Sequence, residues 1–309
     1  MDRYSGLVGE EGIVDRLICD IWAFERRYKR EAVDQLLKHK EAAIPELFGV
    51  LQEILDEPEI VFDQDLFGWA YAISILGHEG IEEAHEYFIE LAKKDEEYIN
   101  AVFGDVITED FSYYLFNTSG GNDKRIRALI EDPGVYLWSR VAAVEALRFI
   151  AEDREEKRDE IIRYLTNCIV KPSSDEESLI LENVILELAY LLPTEDCLKR
   201  SCEAYDERWV TGELASKREI EAIHNGQDRH KSPCLESERE RDIHSRMEWW
   251  ACFAEGEGSE PVLTACHDSS ATYPELNKPF AKPLPPAVKA KKKNKRKDQK
   301  KARKRNRKR

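Results

Sequence analysis

Three acidic side chains lie close together in the stretch GDVITEDF, residues 104–111: Asp105, Glu109 and Asp110. Two neighbouring carboxylates can act as general acid and base or hold a divalent metal ion. A simpler interpretation makes Thr108 an N-cap and places Glu109 and Asp110 in the first helical turn, where acids interact favourably with the helix dipole. Capping is favoured, because no histidine or lysine lies nearby in the sequence. A metal-dependent hydrolase using Asp105 and Asp110 remains an alternative.

Histidines provide a second candidate site in HEGIEEAH, where His78 and His85 flank Glu82 and Glu83. Histidine and carboxylate are both common zinc ligands. The spacing is not the HExxH in which one helical face presents both rings. Surface histidines in a loop between two helices are therefore the favoured interpretation.

Cysteine and histidine residues are also frequent between residues 224 and 267. The set is His224, His230, Cys234, His244, Cys252, Cys266 and His267. Structural zinc sites usually show two ligands two to four residues apart, twice over. Only His230-xxx-Cys234 and the adjacent Cys266–His267 approach that spacing. We therefore expect no metal and no other cofactor.

Two adjacent tryptophans, Trp249 and Trp250, precede Cys252 in MEWWACF. Such rings could stack on a nucleic-acid base or line a ligand pocket. More often, tryptophans near the end of a domain fill the last gap in its core. We predict that one ring points inward and the other is partly exposed.

The stretch SGGND, residues 119–123, lacks the lysine of a phosphate-binding loop and indicates a turn.

The chain ends in a strongly basic tail. Residues 289–309 carry fifteen lysines and arginines and one aspartate, a net charge of +14, so the preceding 288 residues of this −15 chain carry −29. Such a low-complexity segment is typical of a disordered tail that binds polyanions through many phosphate contacts. We expect RNA or ribosomes to be bound through Lys291, Lys292, Lys293, Lys295, Arg296, Lys297, Lys300, Lys301, Arg303, Lys304, Arg305, Arg307, Lys308 and Arg309.

A linker is predicted before this tail. Residues 255–288 begin as a Gly/Glu loop, and residues 274–288 contain five of the twelve prolines. Proline-rich segments favour an extended conformation, so this stretch would hold the tail roughly 45 Å from the body. The predicted organisation is a helical domain at 1–254, the linker at 255–288 and the disordered tail at 289–309.

The composition favours a cytoplasmic protein with a large surface for its volume. Charged residues make up 35% of the chain, above the usual quarter. The first residues lack the pattern of a signal peptide, and no apolar run is long enough for a membrane span. The seven cysteines are scattered without a CxxC pair, and most are expected to be small buried apolar side chains in a reducing compartment.

Apolar stripes with helical spacing recur in pairs along the chain. Residues 64–77 present one such stripe and end in Gly77, which we predict to be a left-handed helix cap. A second helix is predicted at about 81–94, and the pattern returns at 138–170 with Val141, Val144, Leu147 and Ile150 on one face. Related pairs are predicted at 31–56, 98–131 and 179–206. Stacked pairs share one continuous core. Strand patterns are nearly absent, so the predicted fold is an all-α helical-repeat stack.

Several blocks occur in a characteristic order: GDVITEDF (104–111), GG (120–121), IRALIEDP (126–133), WSRVAAVEAL (138–147) and MEWWACF (247–253). In these blocks the chain resembles an uncharacterised bacterial family of HEAT-like helical proteins, known only as a domain of unknown function. The resemblance covers roughly residues 10–254 and implies an α-solenoid without an established reaction. Many family members carry a C-terminal SEC-C zinc motif, whose closely spaced cysteines are absent here.

These observations together predict a non-enzymatic scaffold. A concave acidic surface of the helical stack would bind an unidentified protein partner, and the tail would tether the complex to RNA, ribosomes or another polyanion. The alternatives are the metal-dependent hydrolase and a peripheral protein on anionic membranes.

Overall fold

The protein is built from many short α-helices. The computed structural model describes residues 10–227 and 234–253, which belong to one compact unit. The helices of these residues are α1 (Glu10–Trp22), α2 (Arg30–Lys38), α3 (Lys40–Asp56), α4 (Gly68–His78), α5 (Ala84–Ala92), α6 (Glu96–Val102), α7 (Val106–Glu109), α8 (Phe111–Thr118), α9 (Lys124–Glu131), α10 (Leu137–Asp153), α11 (Glu155–Asn167), α12 (Asp175–Tyr190), α13 (Glu195–Asp206), α14 (Lys217–His224), α15 (Leu235–Glu240) and α16 (Ile243–Met247). The described residues contain no β-strand, which confirms the all-α prediction.

The helices are arranged in two rows. An inner row consists of α3, α4, α8, α10, α12 and α14, and each helix packs on the next. Outer helices cover this row, with α9 and α11 packed on α10 and α13 packed on α14. Because a single helix pair cannot bury both of its apolar faces, the stack shares a continuous core along its length.

The predicted stripes mark the core of this stack. In α10, Val144, Leu147 and Ile150 are fully buried, whereas Val141 is only partly covered. The pair predicted at 98–131 instead forms the four helices α6 to α9. Gly104 adopts a positive φ of 51° between α6 and α7, a conformation that interrupts a right-handed helix.

Gly77 does not cap its helix, so this prediction is wrong. It lies inside α4, where a Cβ atom would stand 2.4 Å from Cγ of Tyr114. The missing side chain therefore lets α4 and α8 approach each other closely. The left-handed conformation is adopted three residues later, by Gly80 with φ 64°. Asn117 Nδ2 donates to the carbonyls of Gly77 and His78 at 3.0 and 2.9 Å. These two carbonyls at the end of α4 therefore have a hydrogen-bond donor.

Residues 234–253, which we call the return segment, cross the inner row. Helix α15 packs on α10 and α16 packs on α4. Trp250 is 8% exposed and lies against Phe67 and Phe253, while Trp249 is 47% exposed. The predicted division between one inward and one exposed tryptophan is confirmed. Among the helices of the described ranges, none combines the length and the apolar content that crossing a bilayer requires.

The prediction of buried cysteines is wrong for the part of the chain that the structure describes. Cys19 and Cys234 are exposed, and the other four described cysteines are only partly buried. A small side chain at the edge of an apolar stripe is covered on one side only. The seventh cysteine, Cys266, lies outside the described residues.

Candidate functional sites

The acidic stretch 104–111 is divided between two environments. Asp105 precedes α7 and is exposed, whereas Asp110 lies between α7 and α8 and is fully buried. Thr108 lies inside α7, where its hydroxyl donates to the Asp105 carbonyl at 3.0 Å. The predicted N-cap role of Thr108 is therefore wrong, and so is the placement of Glu109 and Asp110 in the first turn after it. The two aspartates have no shared environment in which to act as an acid–base pair.

Asp110 belongs to a group of two carboxylates and two guanidinium groups whose centre is buried. This group, which we call the balanced cluster, consists of Asp110, Glu238, Arg241 and Arg246. Arg246 Nη1 donates to Asp110 Oδ1 at 2.6 Å and to Glu238 Oε2 at 2.8 Å. Arg241 Nη1 lies 3.0 Å from Asp110 Oδ1. The cluster therefore joins the start of α8 to the return segment.

The balanced cluster is closed to solvent at its centre. The side chains of Asp110 and Arg246 are both 0% exposed, and the Arg246 guanidinium lies 4.3 Å from the centre of the Tyr113 ring. Burial raises the pKa of Asp110 above its ordinary value, and the charges of Arg241 and Arg246 offset only part of this rise. A buried carboxylate that is neutralised by two arginines suits the joining of two segments better than contact with a substrate or a metal ion.

A second buried group of charges lies between α10 and α12. This group, which we call the imbalanced cluster, contains one arginine, Arg148, and three carboxylates, Glu145, Glu152 and Glu187. Arg148 Nε donates to Glu187 Oε2, and Nη1 donates to Glu152 Oε1 at 2.7 Å. Glu145 Oε1 lies 3.4 Å from Nη2. Burial raises the pKa of Glu187 to about 7 despite the neighbouring Arg148, because Glu145 and Glu152 add further negative charge.

A cleft of about 630 Å³ lies beside the imbalanced cluster, between the return segment and α10 to α12. Tyr190, Leu192 and Leu235 form much of its apolar lining. Its charged lining residues are Glu152, Arg158, Glu236, Arg239 and Glu240. This volume is typical of a small-molecule site.

The imbalanced cluster and the cleft share two side chains. Glu152 lines the cleft, pairs with Arg148 and accepts a hydrogen bond from the backbone N–H of Leu235 at 3.1 Å. The Tyr190 ring also lines the cleft, and its centre lies 5.6 Å from the Arg148 guanidinium. A ligand in the cleft would therefore be close to the charges of this cluster.

His85 is buried at the start of α5, so its prediction as a surface histidine is wrong. Its Nδ1 lies 3.1 Å from the Thr118 hydroxyl, which itself donates to the Tyr114 carbonyl at 2.7 Å. The proton of this hydrogen bond therefore comes from Nδ1 of His85. Burial, together with the nearby charge of Arg125, lowers the pKa of His85 to about 4. A neutral, hydrogen-bonded imidazole of this kind connects α5 to α8.

The described members of the cysteine and histidine set are not brought together. His244 Nε2 lies 3.0 Å from Asp34 Oδ1, and its Nδ1 lies 2.8 Å from the Tyr28 hydroxyl. Burial raises the pKa of the Cys252 thiol to about 11, which disfavours a nucleophilic thiolate. Within residues 10–227 and 234–253, no three histidine, cysteine or acidic side chains are placed to hold a metal ion.

Other predicted residues lie outside the described ranges. They include His230, Cys266 and His267 of the proposed zinc set and the whole of the linker at 255–288. The fourteen predicted polyanion-binding residues between Lys291 and Arg309 also lie there. The role of the tail therefore stays a prediction.

Comparison with known proteins gives a family match over most of the chain. A family model described as "Protein of unknown function (DUF1186)" matches residues 13–254. Two relatives, from Chlamydia trachomatis and Chlamydia muridarum, are each named "Uncharacterized protein" and are 26% identical over 167 residues. These matches cover 54% of this chain and 66% and 67% of the respective relatives, about two thirds of their length. No solved structure matches the chain.

Proposed function

The chain belongs to the DUF1186 family of proteins of unknown function, and on that premise we propose that it is a non-enzymatic scaffold. The helical stack binds a protein partner, and the basic tail tethers the complex to RNA, ribosomes or another polyanion. The observation that carries this proposal is the division of charge, +14 in residues 289–309 against −29 in the residues before them. A body so acidic repels polyanions, so only the tail attracts them.

An acidic surface on the outer helices supports the binding of a basic partner. The C-terminal end of α11 meets α13, where the Thr166 hydroxyl lies 3.3 Å from Cys197 Sγ and Arg200 donates to the Ile169 carbonyl at 2.9 Å. The exposed carboxylates on these two helices outnumber the exposed basic side chains, Arg163 and Lys199, and include Glu155, Glu156, Asp159, Glu195, Asp196 and Glu203. Such a surface would steer a positively charged partner toward the stack.

The balanced cluster favours the scaffold over the metal-dependent hydrolase. Asp110, which the hydrolase would need, is neutralised by Arg246 and Arg241 and is closed to solvent. Asp105 is exposed and lies outside this cluster. A cation at Asp110 would have to displace two guanidinium groups, at a large cost in buried charge.

A titration of ribosomal RNA tests the tail. We expect the full chain to bind, with a log–log salt slope of about −0.7 for each single-strand phosphate neutralised. A chain ending at Val288 should lose nearly all of this binding. Replacing the tail's lysines and arginines by glutamine should have the same effect, whereas a tail of scrambled order should bind normally. Equal RNA binding with and without residues 289–309 would contradict the tether. Flotation with anionic vesicles examines the membrane alternative in the same two chains.

Charge reversal tests the acidic surface. The double variant Glu155→Lys/Glu156→Lys should lose the protein partner that the unaltered chain retains in a pull-down from the native host. The matched control is Glu46→Lys/Glu53→Lys, which reverses two exposed carboxylates on α3. Retention of the same partner by the α11 double variant would rule out α11 as part of the binding surface.

A further inference from the structure

His85 joins helix α5 to the inner helix α8 through buried groups. The residue is 8% exposed at the start of α5, and Thr118 is 1% exposed at the end of α8. The ring donates from Nδ1 to the Thr118 hydroxyl at 3.1 Å, and this hydroxyl donates to the Tyr114 carbonyl at 2.7 Å. A chain of two hydrogen bonds therefore forms the joint between the two helices.

The second ring nitrogen of His85, Nε2, is buried and has no hydrogen-bond partner among the described residues. In the neutral ring this atom carries only a lone pair. A second proton would enter at Nε2 and would put an N–H group and a positive charge where the described part of the chain offers no acceptor. Both are costly inside a protein. The surroundings of the ring thus select its neutral form.

The groups that face the ring come from several helices. Burial has the largest influence on its pKa and lowers it, together with the charge of Arg125 of α9 and against that of the neighbouring Glu86, to about 4. Arg125 Nη1 also lies 2.5 Å from Glu86 Oε1, so these two charges largely offset each other at the ring. Helix α8 presents the Thr118 hydroxyl, and α3 meets α5 through the stacked rings of Phe48 and Tyr87. Burial therefore decides the protonation of this histidine.

Helix α5 depends on its neighbours for its own structure. It has nine residues, and isolated helices shorter than about 12–15 residues are marginal in water. Its buried face includes Phe88, whose ring centre lies 6.2 Å from that of Phe111 and 6.5 Å from that of Tyr114, both on α8. These ring contacts and the His85 joint hold α5 in place. An α5 that left α8 would lose its helical hydrogen bonds as well.

We propose that His85 makes the packing of α5 on α8 acid-sensitive, because a protonated imidazole favours a released state of α5 over the packed state. In the packed state the ring is neutral and donates to Thr118. In the released state water solvates both ring nitrogens, and the imidazole takes up a proton with its ordinary pKa of 6.5. Since its pKa in the packed state is about 4, the packed state loses stability as the pH falls from about 7 toward about 4.

Hydrogen exchange of the full chain measures the release of α5, when it is followed by mass spectrometry and corrected for the intrinsic effect of pH. The equilibrium constant for release should rise about 30-fold between about pH 7.5 and about pH 5, because only the released state takes up the proton in this range. Peptides of α5 should show this rise. Peptides of α12 should not, since α12 packs on α10, α11 and α14.

The matched variant is His85→Asn. Asparagine keeps an N–H donor at the place of Nδ1 but takes up no proton in this pH range. Helix α5 of the variant should be released more often at neutral pH, because the smaller side chain buries less apolar surface. The equilibrium constant for its release should nevertheless change less than about threefold over the same pH range.

Nuclear magnetic resonance of the histidine rings follows the titration directly, and the signals of His85 are those missing from His85→Asn. In the packed protein they should stay those of a neutral ring down to about pH 5. Arg125→Gln removes the neighbouring positive charge and should raise the titration midpoint of the ring by about half a pH unit. The control Lys124→Gln removes an exposed charge from the same helix and should leave this midpoint unchanged.

Three results would overturn the inference. The first is a His85 ring that titrates near pH 6.5 while α5 stays protected from exchange. The second is an equal pH dependence of α5 exchange in the parent and in His85→Asn. The third is an equal loss of protection in α5 and α12, since the whole stack would then open together. These measurements use neither RNA nor a protein partner, so failure of the proposed function is recognised separately.

Discussion

The two buried clusters of charge differ in one respect that decides their roles. In the balanced cluster, Asp110 and Glu238 face Arg241 and Arg246, so each charge has an opposite partner. In the imbalanced cluster, Arg148 pairs with three carboxylates. The first lies between two covalently distant segments, whereas the second adjoins an open cleft. Removing one partner from a buried set of paired charges leaves its counterpart unpaired at a large cost, whereas a buried carboxylate with further carboxylates beside it favours protonation.

The balanced cluster also explains why the family blocks at 104–111 and 247–253 belong to one domain. Arg246, immediately before the second block, reaches Asp110 in the first. Farther along the return segment, Trp250 and Phe253 pack on Phe67. The balanced cluster and these ring contacts together join the return segment to the inner row.

The largest effect is expected from breaking the balanced cluster. Arg246→Met leaves Asp110 and Glu238 buried without their main partner and should cost about 3–5 kcal/mol of unfolding free energy. Denaturant unfolding followed by circular dichroism measures this loss. The double variant Arg246→Met/Asp110→Asn removes the stranded charge and should recover part of it. A single variant as stable as the parent would contradict the role given to this cluster.

An apolar neighbour of Arg148 provides a benchmark for these electrostatic effects. Leu147 is 0% exposed on α10, and Leu147→Ala should cost about 2–5 kcal/mol through lost burial and the cavity left behind. The measurement is again the denaturant midpoint at constant m-value. Val170→Ala is the control, since Val170 is 58% exposed and should change stability little. An unchanged midpoint for Leu147→Ala would show that this apolar stripe of α10 does not contribute to the core.

Neutralising Glu187 should change the pH dependence of stability. The pKa of Glu187 is about 7 in the folded protein, against an ordinary value of 4.5. Between these values the folded state keeps a proton that the unfolded state has lost, so the parent loses stability as the pH rises through this window. The variant Glu187→Gln does not have this loss. The difference in unfolding free energy between the variant and the parent should therefore rise in favour of the variant, by up to about 3 kcal/mol between about pH 5 and about pH 8.

Unfolding curves at several pH values provide the measurement, with the exposed Glu155→Gln as the control. A difference between Glu187→Gln and the parent that stays constant with pH would show that Arg148 holds Glu187 ionised throughout. The contrast between the two clusters would then disappear.

The smallest effect is expected from an exposed ion pair on the same return segment. Arg30 Nη2 lies 2.5 Å from Glu248 Oε2, and both side chains are 50% exposed. Arg30→Ala should cost less than about 1 kcal/mol, because water and salt screen exposed pairs. A loss as large as that of Arg246→Met would mean that burial is not what separates strong from weak contacts of this segment.

The sequence by itself determined the helical class and the positions of most core residues. Apolar side chains at helical spacing must be buried somewhere, so stripes such as Val144, Leu147 and Ile150 identify core faces without knowledge of the neighbour. The inward and outward tryptophans follow from the same principle, since two adjacent large rings on one segment rarely both fit inside.

Only the tertiary structure decided which polar residues meet. Arg246 and Asp110 are 136 positions apart, and the only local signal at Arg148 is an arginine set between two apolar residues of a helix. Gly77, Thr108 and His85 were misinterpreted for a related reason. Their local patterns suit caps and loops. Contacts with α8 set the environments of Gly77 and His85, and the bounds of α7 set that of Thr108. Apolar burial depends on periodicity along one helix, whereas the pairing of charges depends on which helices the whole chain brings together.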